Sequence, residues 1–286
     1  PGQRTGKLAR ENDITVCETF WDKKTAQSIK QLNLKPDLIT ATAVFYHVED
    51  IHSFLEGLAT VMHDKSVFLT QCVYMKDVLE KIQFDHFYHE HTLMHTLLPL
   101  KRLFAEYGLR MIDVDFYPVH GGSFALYVAK EESTYETRPS VEEAIQREID
   151  AGVNQISTYH EFTTKVEKNR DDLIALLSQL KEEEKTVYAL GAPLKGSTLL
   201  NYCGIGPDLV EVATEVNRFK IGKYTPGTHI PIVFEEAIEK QPDYYLVLSW
   251  NFLDFFVEKY ADFLRDGGKM IVPNPEVRIV DHTALS

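Results

Sequence analysis

The segment 37–73 decides the fold, because it contains a strand, a helix and a second strand in succession. It begins with Asp37-Leu38-Ile39-Thr40-Ala41-Thr42 and ends with Ser66-Val67-Phe68-Leu69-Thr70-Gln71-Cys72-Val73, a run suited to a buried strand. Between them, 48–62 repeats apolar residues at helical spacing. Glu49 and Asp50 stand in its first turn, where the helix dipole favours negative charge. Two strands joined through a helix predict a parallel sheet.

The flanking segments extend this alternation. Toward the amino terminus the pattern predicts helices at 5–10 and 22–32 and a short strand at Ile14-Thr15-Val16-Cys17. Toward the carboxyl terminus it predicts helices at 74–81 and 97–107, a helix-ending Gly108, and adjacent strands at 109–116 and 123–129. Alternating strands and helices predict an α/β fold with a doubly wound sheet that carries helices on both faces.

The rest of the chain contains a charged helical segment and a second α/β region. Apolar residues recur at three- and four-residue steps through 131–184, which predicts one or two long helices. The second region is expected to contain strands at 186–190, 209–215, 244–248 and 269–273 and helices at 195–202, 234–240 and 254–264. The predicted domains are a first sheet at 1–130, a helical linker at 131–184 and a second domain at 185–286.

Composition limits the classes of function. The 286-residue chain has a net charge of −13 and no basic run, which argues against a nucleic-acid partner because the phosphates would be repelled. No apolar run approaches the roughly 20 residues that span a bilayer, and no signal peptide opens the sequence. Cys17, Cys72 and Cys203 are far apart, as is typical of free thiols in a reducing compartment. We therefore expect a cytoplasmic protein with no nucleic-acid or membrane partner.

A histidine-rich segment separates two of the predicted helices. It reads Phe84-Asp85-His86-Phe87-Tyr88-His89-Glu90-His91-Thr92-Leu93-Met94-His95 and holds four of the 11 histidines. No hydrophobic period runs through it. Because groups that titrate near neutrality are costly to bury, catalysis explains this composition better than packing does.

Four segments carry a resemblance to a known family. They are Phe84-Asp85-x-x-Tyr88-His89-Glu90-His91, Ala43-Val44-Phe45-Tyr46-His47-Val48-Glu49-Asp50, His120-Gly121-Gly122-Ser123 and Gly191-Ala192-Pro193-Leu194-Lys195-Gly196-Ser197-Thr198-Leu199-Leu200-Asn201-Tyr202. Together they resemble the S-adenosylmethionine-dependent sugar C-methyltransferases, which methylate a carbon of a nucleotide-linked keto-deoxysugar. Order and spacing agree along nearly the whole chain, so the resemblance is more specific than any single motif.

The resemblance implies both the fold and the cofactor. It implies a class I methyltransferase-like doubly wound sheet, incomplete on its amino-terminal side, followed by a Rossmann-like α/β domain that binds a nucleotide sugar. S-adenosylmethionine is the implied methyl donor, and the protein is expected to be a monomer or homodimer. Ligands of such sheets bind beyond the carboxyl ends of the strands. The candidate cofactor-binding residues follow two such ends: Thr19, Phe20, Thr42, Ala43 and Phe45.

Part of the family pattern is expected to lie upstream of Pro1. The Gly-rich loop, the acid that would hold the ribose hydroxyls and the zinc-binding cysteines all precede the segments present here. We therefore expect the chain to be a fragment or a degenerate form of the family. Its first sheet would end in an exposed parallel strand, an arrangement that parallel sheets rarely tolerate.

The reaction that the resemblance implies needs a base and a group that stabilises an oxyanion. A sugar carbon next to a ketone is weakly acidic because its carbanion delocalises as an enolate. A neutral imidazole is suited to take the proton, so we assign His91 as the base, oriented or tuned by Glu90. Tyr88 is a candidate acid, base or oxyanion ligand, and His47 a second proton shuttle. His86, His89 and His95 are expected to have structural hydrogen-bonding roles.

The remaining motifs are candidate substrate contacts. His120 precedes two glycines and is expected near the sugar, although an ordinary strand-joining turn explains the same residues. Residues 191–201 follow a strand and open a helix, which suggests a phosphate cradle in which Lys195 adds charge and Ser197 and Asn201 add hydrogen bonds. The second domain would then bind the diphosphate, with a nearby basic loop as possible support: Arg218, Lys220 and Lys223.

Two other functions fit parts of the sequence. The histidines of the segment His86–His91, together with Glu90, would suit a metal-dependent hydrolase or isomerase, although adjacent loop residues rarely supply a whole coordination shell. We predict no metal site. A non-catalytic nucleotide-sugar binding protein is the third possibility, because the Gly-rich donor loop is absent from the sequence.

Overall fold

The computed structural model describes residues 3–285, which form two compact units. The first unit contains the chain up to Tyr74 together with Thr92–Ala151. The second contains Met75–His91 and the chain from Gly152 onward. Residues 84–91 of the histidine-rich segment therefore belong to the second unit, although they lie within the first predicted domain. Among the described residues, no helix has the length and apolar character to span a membrane.

The elements of both units follow the chain in order. The helices are α1 Gln3–Glu11, α2 Lys23–Gln31, α3 Ile51–Val61, α4 Met75–Glu80, α5 Leu97–Ala105, α6 Pro139–Asp150, α7 Ile156–Glu182, α8 Leu194–Cys203, α9 Leu253–Lys259 and α10 Ala261–Arg265. The strands are β1 Leu38–Thr42, β2 Val67–Val73, β3 Leu109–Tyr117, β4 Ser123–Lys130, β5 Val187–Leu190, β6 Ala213–Glu215, β7 Ile232–Phe234, β8 Tyr244–Val247, β9 Lys269–Val272 and β10 Arg278–Val280.

The sheet of the first unit has the strand order β1-β2-β4-β3. β1 and β2 are parallel, whereas β4 runs antiparallel to both β2 and β3. Within residues 3–285, β1 is hydrogen-bonded to another strand on one side only. Leu38 at its start is 59% exposed. The expected exposed parallel edge is therefore present.

An aromatic cluster forms part of the first unit's core. The Phe45 ring is fully buried and lies 5.0–6.1 Å, between ring centroids, from the rings of four neighbours: Phe54, Phe68, His95 and Phe104. Because α3, β2 and α5 each contribute a phenylalanine to this cluster, Phe45 ties the turn after β1 to both layers of the unit.

The sheet of the second unit has the strand order β10-β9-β8-β5-β6-β7. Neighbouring strands are parallel except for β10, which pairs antiparallel with β9. Successive residues of β8 belong to different buried clusters, so both faces of the sheet are covered. The order reverses between β5 and β8, and such a switch point is where doubly wound sheets bind their ligands.

Four predicted elements differ from the observed ones. The predicted strand at 209–215 is limited to Ala213–Glu215. Residues 14–17 form no strand, and Ile14 is 58% exposed. The predicted helix at 234–240 is a single 3₁₀ turn, Glu235–Ala237, since the following residues run into Pro242, which disfavours helical backbone before it. The predicted helix at 254–264 is interrupted at Tyr260, which separates α9 from α10.

The predicted helical linker is shared between the two units. α6 packs against α5 and β3 in the first unit, and α7 packs against α4 and α8 in the second. Glu148 of α6 accepts hydrogen bonds from the backbone N–H groups of Leu97 and Leu98, which lack partners within α5 because they begin that helix. The contacts therefore divide this segment at Ala151 rather than setting it apart as a spacer.

Candidate active site

The segment from Phe84 to His91 is anchored in the second unit by an aromatic side chain. Phe84 is 5% exposed, belongs to the same buried cluster as Leu199 and Leu200 of α8, and lies 5.1 Å from the Tyr202 ring. A 3₁₀ turn spans Phe84–His86, and the Phe87 N–H closes it by donating to the Phe84 carbonyl. The apolar anchor therefore places the next two residues, both charged or titratable, inside the protein.

Asp85 carries its carboxylate into this interior. Its side chain is 1% exposed, and Oδ2 accepts a hydrogen bond from the Trp250 indole at 2.9 Å. The Lys195 Nζ lies 3.8 Å from the same oxygen. Burial raises the pKa of Asp85, and the attraction of Lys195 and the indole hydrogen bond oppose that shift.

Lys195, a predicted phosphate contact, has a buried set of protein partners. Its side chain is 14% exposed, and Nζ lies 3.4 Å from His86 Nε2 and 3.3 Å from Asn251 Oδ1. Nζ also stands 5.3 Å from the centre of the Trp250 ring, a cation–π distance. Burial lowers the pKa of Lys195, whereas Asp85 acts in the opposite direction. The ammonium group of Lys195 is thus surrounded by groups of the protein itself.

The strand ends explain why these groups meet. Lys195 follows β5, while Trp250 and Asn251 follow β8, so they stand at the carboxyl ends of the two strands that flank the switch point. Gly196 allows α8 to pack closely against Leu248, which follows β8, since a Cβ at position 196 would lie 2.9 Å from Leu248 Cβ. Asp85 therefore occupies the place where a doubly wound sheet commonly receives an anionic ligand.

Three side chains of the histidine-rich segment form a stacked group. The rings of His86 and His91 are 5.7 Å apart and inclined by 20°, and the Tyr88 ring is 4.0 Å from that of His91. The turn is closed by the His91 N–H, which donates to the Tyr88 carbonyl at 2.9 Å. We call His86, Tyr88 and His91 the imidazole–phenol cluster. Two of the four predicted catalytic residues are thereby in direct contact.

The surroundings of Tyr88 favour its protonated form. Burial raises the pKa of the phenol, and the negative charges of Glu90 and Asp85 raise it further. A phenol of raised pKa suits hydrogen-bond donation better than proton removal at neutral pH. The Glu90 side chain is half exposed, and its Oε1 lies 4.0 Å from His89 Nε2.

The predicted phosphate cradle is partly filled by protein groups. The Ala192 N–H donates to Glu215 Oε2 at 3.3 Å, and that oxygen also receives a hydrogen bond from Lys220. Asn201 Nδ2 donates to the carbonyls of Ser197 and Pro226, which holds a neighbouring loop on α8. Because Ala192 and Asn201 are engaged in this way, the remaining candidate contacts are the first amides of α8 and the Ser197 hydroxyl.

The predicted cofactor-binding residues lie in the first unit, in two kinds of environment. Thr19, Phe20 and Thr42 are exposed, with Phe20 at 76%, and Ala43 turns the chain after β1 with φ 52°. The fully buried Phe45 ring instead packs in the core and is not accessible to a cofactor. A contact with the cofactor would therefore involve the Phe45 backbone, and the selection of Phe45 stays a prediction.

Two predicted histidines also lie in the first unit. His47 ends the 3₁₀ turn after β1, with its ring 4.4 Å from that of Tyr46. His120 has φ 59° in the turn before β4, a left-handed backbone that Gly121 and Gly122 continue with positive φ. His120 therefore occupies a strand-joining turn, as the alternative explanation of this motif predicts.

Sequence reasoning gave no role to three residues that the structure brings to the site. They are Asp85, Trp250 and Asn251. Asp85 stands within the family-like motif, which was the available signal, and Trp250 follows a predicted strand end. Across residues 3–285 no group of three His, Cys, Asp or Glu side chains is arranged to hold a metal ion.

Comparisons with known proteins agree along most of the chain. Residues 118–275 match the family model of the C-methyltransferase C-terminal domain, and residues 10–114 match that of a methyltransferase domain. C-methyltransferase NovU from Streptomyces niveus is 32% identical over 281 residues, which cover 98% of this chain and 67% of that protein.

A search of solved structures gives a much weaker likeness. The crystal structure of the M1.HpyAVI–SAM complex is 15% identical, with a TM-score of 0.26, over 40% of this chain and 54% of that one. A TM-score this low supports no conclusion about the site.

Proposed function

The chain belongs to the C-methyltransferase family of S-adenosylmethionine-dependent enzymes, and from that premise we propose that it methylates a ring carbon of a nucleotide-linked keto-deoxysugar. The class I methyltransferase fold of the first unit agrees with this family. The proposal for the substrate is supported by the motif that contains Tyr88, Glu90 and His91, because that motif resembles the signature of the sugar-specific members.

The chemistry requires a carbon nucleophile. S-adenosylmethionine supplies an electrophilic methyl group when bound. A proton on the carbon next to a ketone must be removed by a base, and the charge that develops on the ketone oxygen must be stabilised. A proton-accepting imidazole beside a hydrogen-bond-donating phenol meets both requirements within one small site.

The contact between Tyr88 and His91 carries the proposal. Their rings are 4.0 Å apart, and both residues belong to one compact unit. We assign His91 as the base that takes the proton from the sugar carbon. Because its pKa is raised, Tyr88 stays protonated and donates a hydrogen bond to the developing oxyanion. Glu90 adds negative charge, which reinforces the protonated form of Tyr88. For His47 we retain the role of a second proton shuttle as a proposal.

The first unit offers groups that fit the cofactor. Thr42 and Ala43 stand at the carboxyl end of a parallel strand, where such sheets bind ligands, and Phe20 presents an exposed ring suited to stacking on an adenine. We propose Thr19, Phe20, Thr42 and Ala43 as the residues of this chain that contact S-adenosylmethionine.

The second unit offers groups that fit the diphosphate. The first amides of α8 and the Ser197 hydroxyl are proposed to bind it, because a helix N-terminus favours anions. Asn201 supports this position by fixing the adjacent loop. His120 remains a proposed sugar contact.

The substrate assignment can be tested by supplying the chain with S-adenosylmethionine that carries a ¹³C methyl group and a panel of nucleoside-diphosphate keto-deoxyhexoses. We expect one panel member to gain the label on a ring carbon, which NMR of the product locates. Heat-inactivated protein is the control. Labelling on oxygen or nitrogen, or on none of the sugars, would contradict the proposal while leaving the family membership intact.

A further inference from the structure

The sequence suggested that Lys195 contacts phosphate, but the structure surrounds it with groups of the protein. Nζ reaches Asp85, His86 and Asn251 within 3.8 Å and lies over the Trp250 ring. A lysine that binds a mobile anion needs an accessible ammonium group, whereas this side chain is 14% exposed. Its partner Asp85 is more deeply buried still, so each charge depends on the other for compensation.

The ion pair is connected to the imidazole–phenol cluster through His86. A lysine ammonium has donors only, so His86 Nε2 must accept at this 3.4 Å contact, which places the ring proton on Nδ1. The His91 ring, which stacks on His86, is consequently next to a neutral ring whose orientation is held by Lys195.

The same pair holds the segment at its other end. Asp85 Oδ2 bonds to the Trp250 indole, which stands at the carboxyl end of β8, and Lys195 stands at the carboxyl end of β5. His86, one residue further on, is 1% exposed. Rigid strands thus determine where the turn with Tyr88 and His91 begins, and small displacements of a reacting group are costly in rate.

We propose that Asp85 and Lys195 are positioning residues: their buried ion pair fixes the segment from Phe84 to His91 to the carboxyl ends of β5 and β8 and holds His86 neutral beneath the His91 ring. This inference rests on the proposed role of His91 as the base. It assigns Lys195 to the organisation of the catalytic turn and leaves binding of the diphosphate to the backbone amides of α8 and to Ser197.

Steady-state kinetics separate positioning from phosphate binding. With the panel sugar that accepts the methyl group as substrate, Lys195→Met is expected to lower kcat on the order of 100-fold while KM for the nucleotide sugar stays within about twofold. The double variant with Asp85→Asn removes both charges, so kcat is expected to recover to within about 10-fold of the wild-type value. Lys168→Met, which removes the cation of an exposed pair with Asp172, is the matched control and is expected to change kcat by less than about twofold.

The opposite pattern, an effect on KM without an effect on kcat, would overturn the proposal. A rise in KM of about 10-fold or more with kcat unchanged, in Lys195→Met or in the double variant, would identify Lys195 as a phosphate ligand. If Lys195→Met does not fold, the double variant decides, because it contains no unpaired buried charge and a lost phosphate contact would still raise its KM.

A second measurement does not depend on activity. In protein with ¹⁵N-labelled histidine, NMR is expected to show His86 as the neutral Nδ1–H tautomer, and Lys195→Met is expected to change that state. Finding the proton on Nε2 in the wild-type protein, or an unchanged spectrum in the variant, would overturn the inference. If no sugar is methylated, the proposed function fails, and this measurement still decides the arrangement of Asp85, Lys195 and His86.

Discussion

Two histidines in different units of the molecule are both deeply buried, yet their surroundings differ in kind. His95 of the first unit is 7% exposed and stacks on Phe45 at 5.0 Å, within a cluster of phenylalanines. His86 of the second unit is 1% exposed and stacks on His91 at 5.7 Å, beside the ammonium group of Lys195. Both stacks are nearly parallel, with ring planes inclined by 21° and 20°.

The difference shows that the neighbours of a buried histidine decide its role. Burial lowers the pKa of His95 to about 4, and its hydrogen bond to the Phe45 backbone opposes that shift only in part. His95 is therefore a neutral member of the core at physiological pH. His86 lies between an ion pair and a second imidazole, so its protonation and orientation are coupled to groups that we propose take part in the reaction.

The largest effect on kcat is expected from His91→Ala, which tests whether the imidazole–phenol cluster takes part in the reaction. Loss of a general base lowers kcat by about 10²- to 10⁴-fold. Binding of the nucleotide sugar should be retained, because the proposed diphosphate contacts lie on α8. A methyl-transfer assay sampled at fixed times measures kcat, and calorimetry measures binding of the nucleotide sugar. Turnover within about twofold of wild type would remove His91 as the base.

Tyr88→Phe should have the next largest effect, since it removes the hydroxyl and keeps the ring against His91. Loss of one group that stabilises an oxyanion lowers kcat by about 10²- to 10³-fold. The ring contact at 4.0 Å is retained, so the thermal unfolding midpoint should change little. A loss of stability without a loss of kcat would show that the phenol is structural, as His95 is.

Acid unfolding should reveal the structural role of His95. Its folded-state pKa of about 4 lies below the unfolded value of 6.5, so the unfolded chain binds the proton first as the pH falls. The stability that neutral His95 contributes is complete above pH 6.5 and is lost as the pH falls toward 4, by about 3 kcal/mol.

His95→Phe is the comparison for that measurement. The variant has no titrating ring at this position, so its free energy of unfolding, measured with urea at several pH values, should lack this part of the decline. Its kcat should stay within about threefold of wild type, since His95 has no proposed catalytic role. Identical pH dependence in the two proteins would contradict the structural assignment.

The smallest effect is expected from Phe20→Ala in the first unit. Stacking of an aromatic side chain on a base contributes about 1 kcal/mol, so the dissociation constant for S-adenosylhomocysteine should rise about fivefold. Phe219→Ala is the matched control, because Phe219 is 68% exposed in the second unit and Phe20 is 76% exposed in the first. Equal affinities of the wild-type protein and both variants would exclude Phe20 as a cofactor contact.

Local patterns predicted most of the elements that the structure contains. The helical spacing at 48–62 and the run at 66–73 appear as α3 and β2, and Gly108 has the left-handed φ of 64° expected after α5. The predictions fail where the structure of a segment depends on its tertiary contacts more than on its local pattern. Residues 14–17 resemble a strand, but a strand needs a neighbour for its backbone hydrogen bonds, and sequence alone does not reveal whether one is present.

For the candidate site, too, the sequence indicated some features of the structure and missed others. Tyr88 and His91 were selected together because both stand in the family-like motif, and the structure places their rings 4.0 Å apart. Phe45 and Lys195 were placed by analogy with strand ends, where the sequence shows that a residue follows a strand but not whether its side chain points outward. One of these side chains is in the core, and the other is in an ion pair.

The sequence by itself determined the alternation of strands and helices and the family-like motifs that contain Tyr88 and His91, since these depend on the order and spacing of residues along the chain. Only the tertiary structure decided the partners of the buried charges. Asp85 and Trp250 are 165 positions apart, and His86 and Lys195 are 109 apart. A bond across such distances exists because two strand ends and one turn converge in space, and no local pattern encodes that convergence.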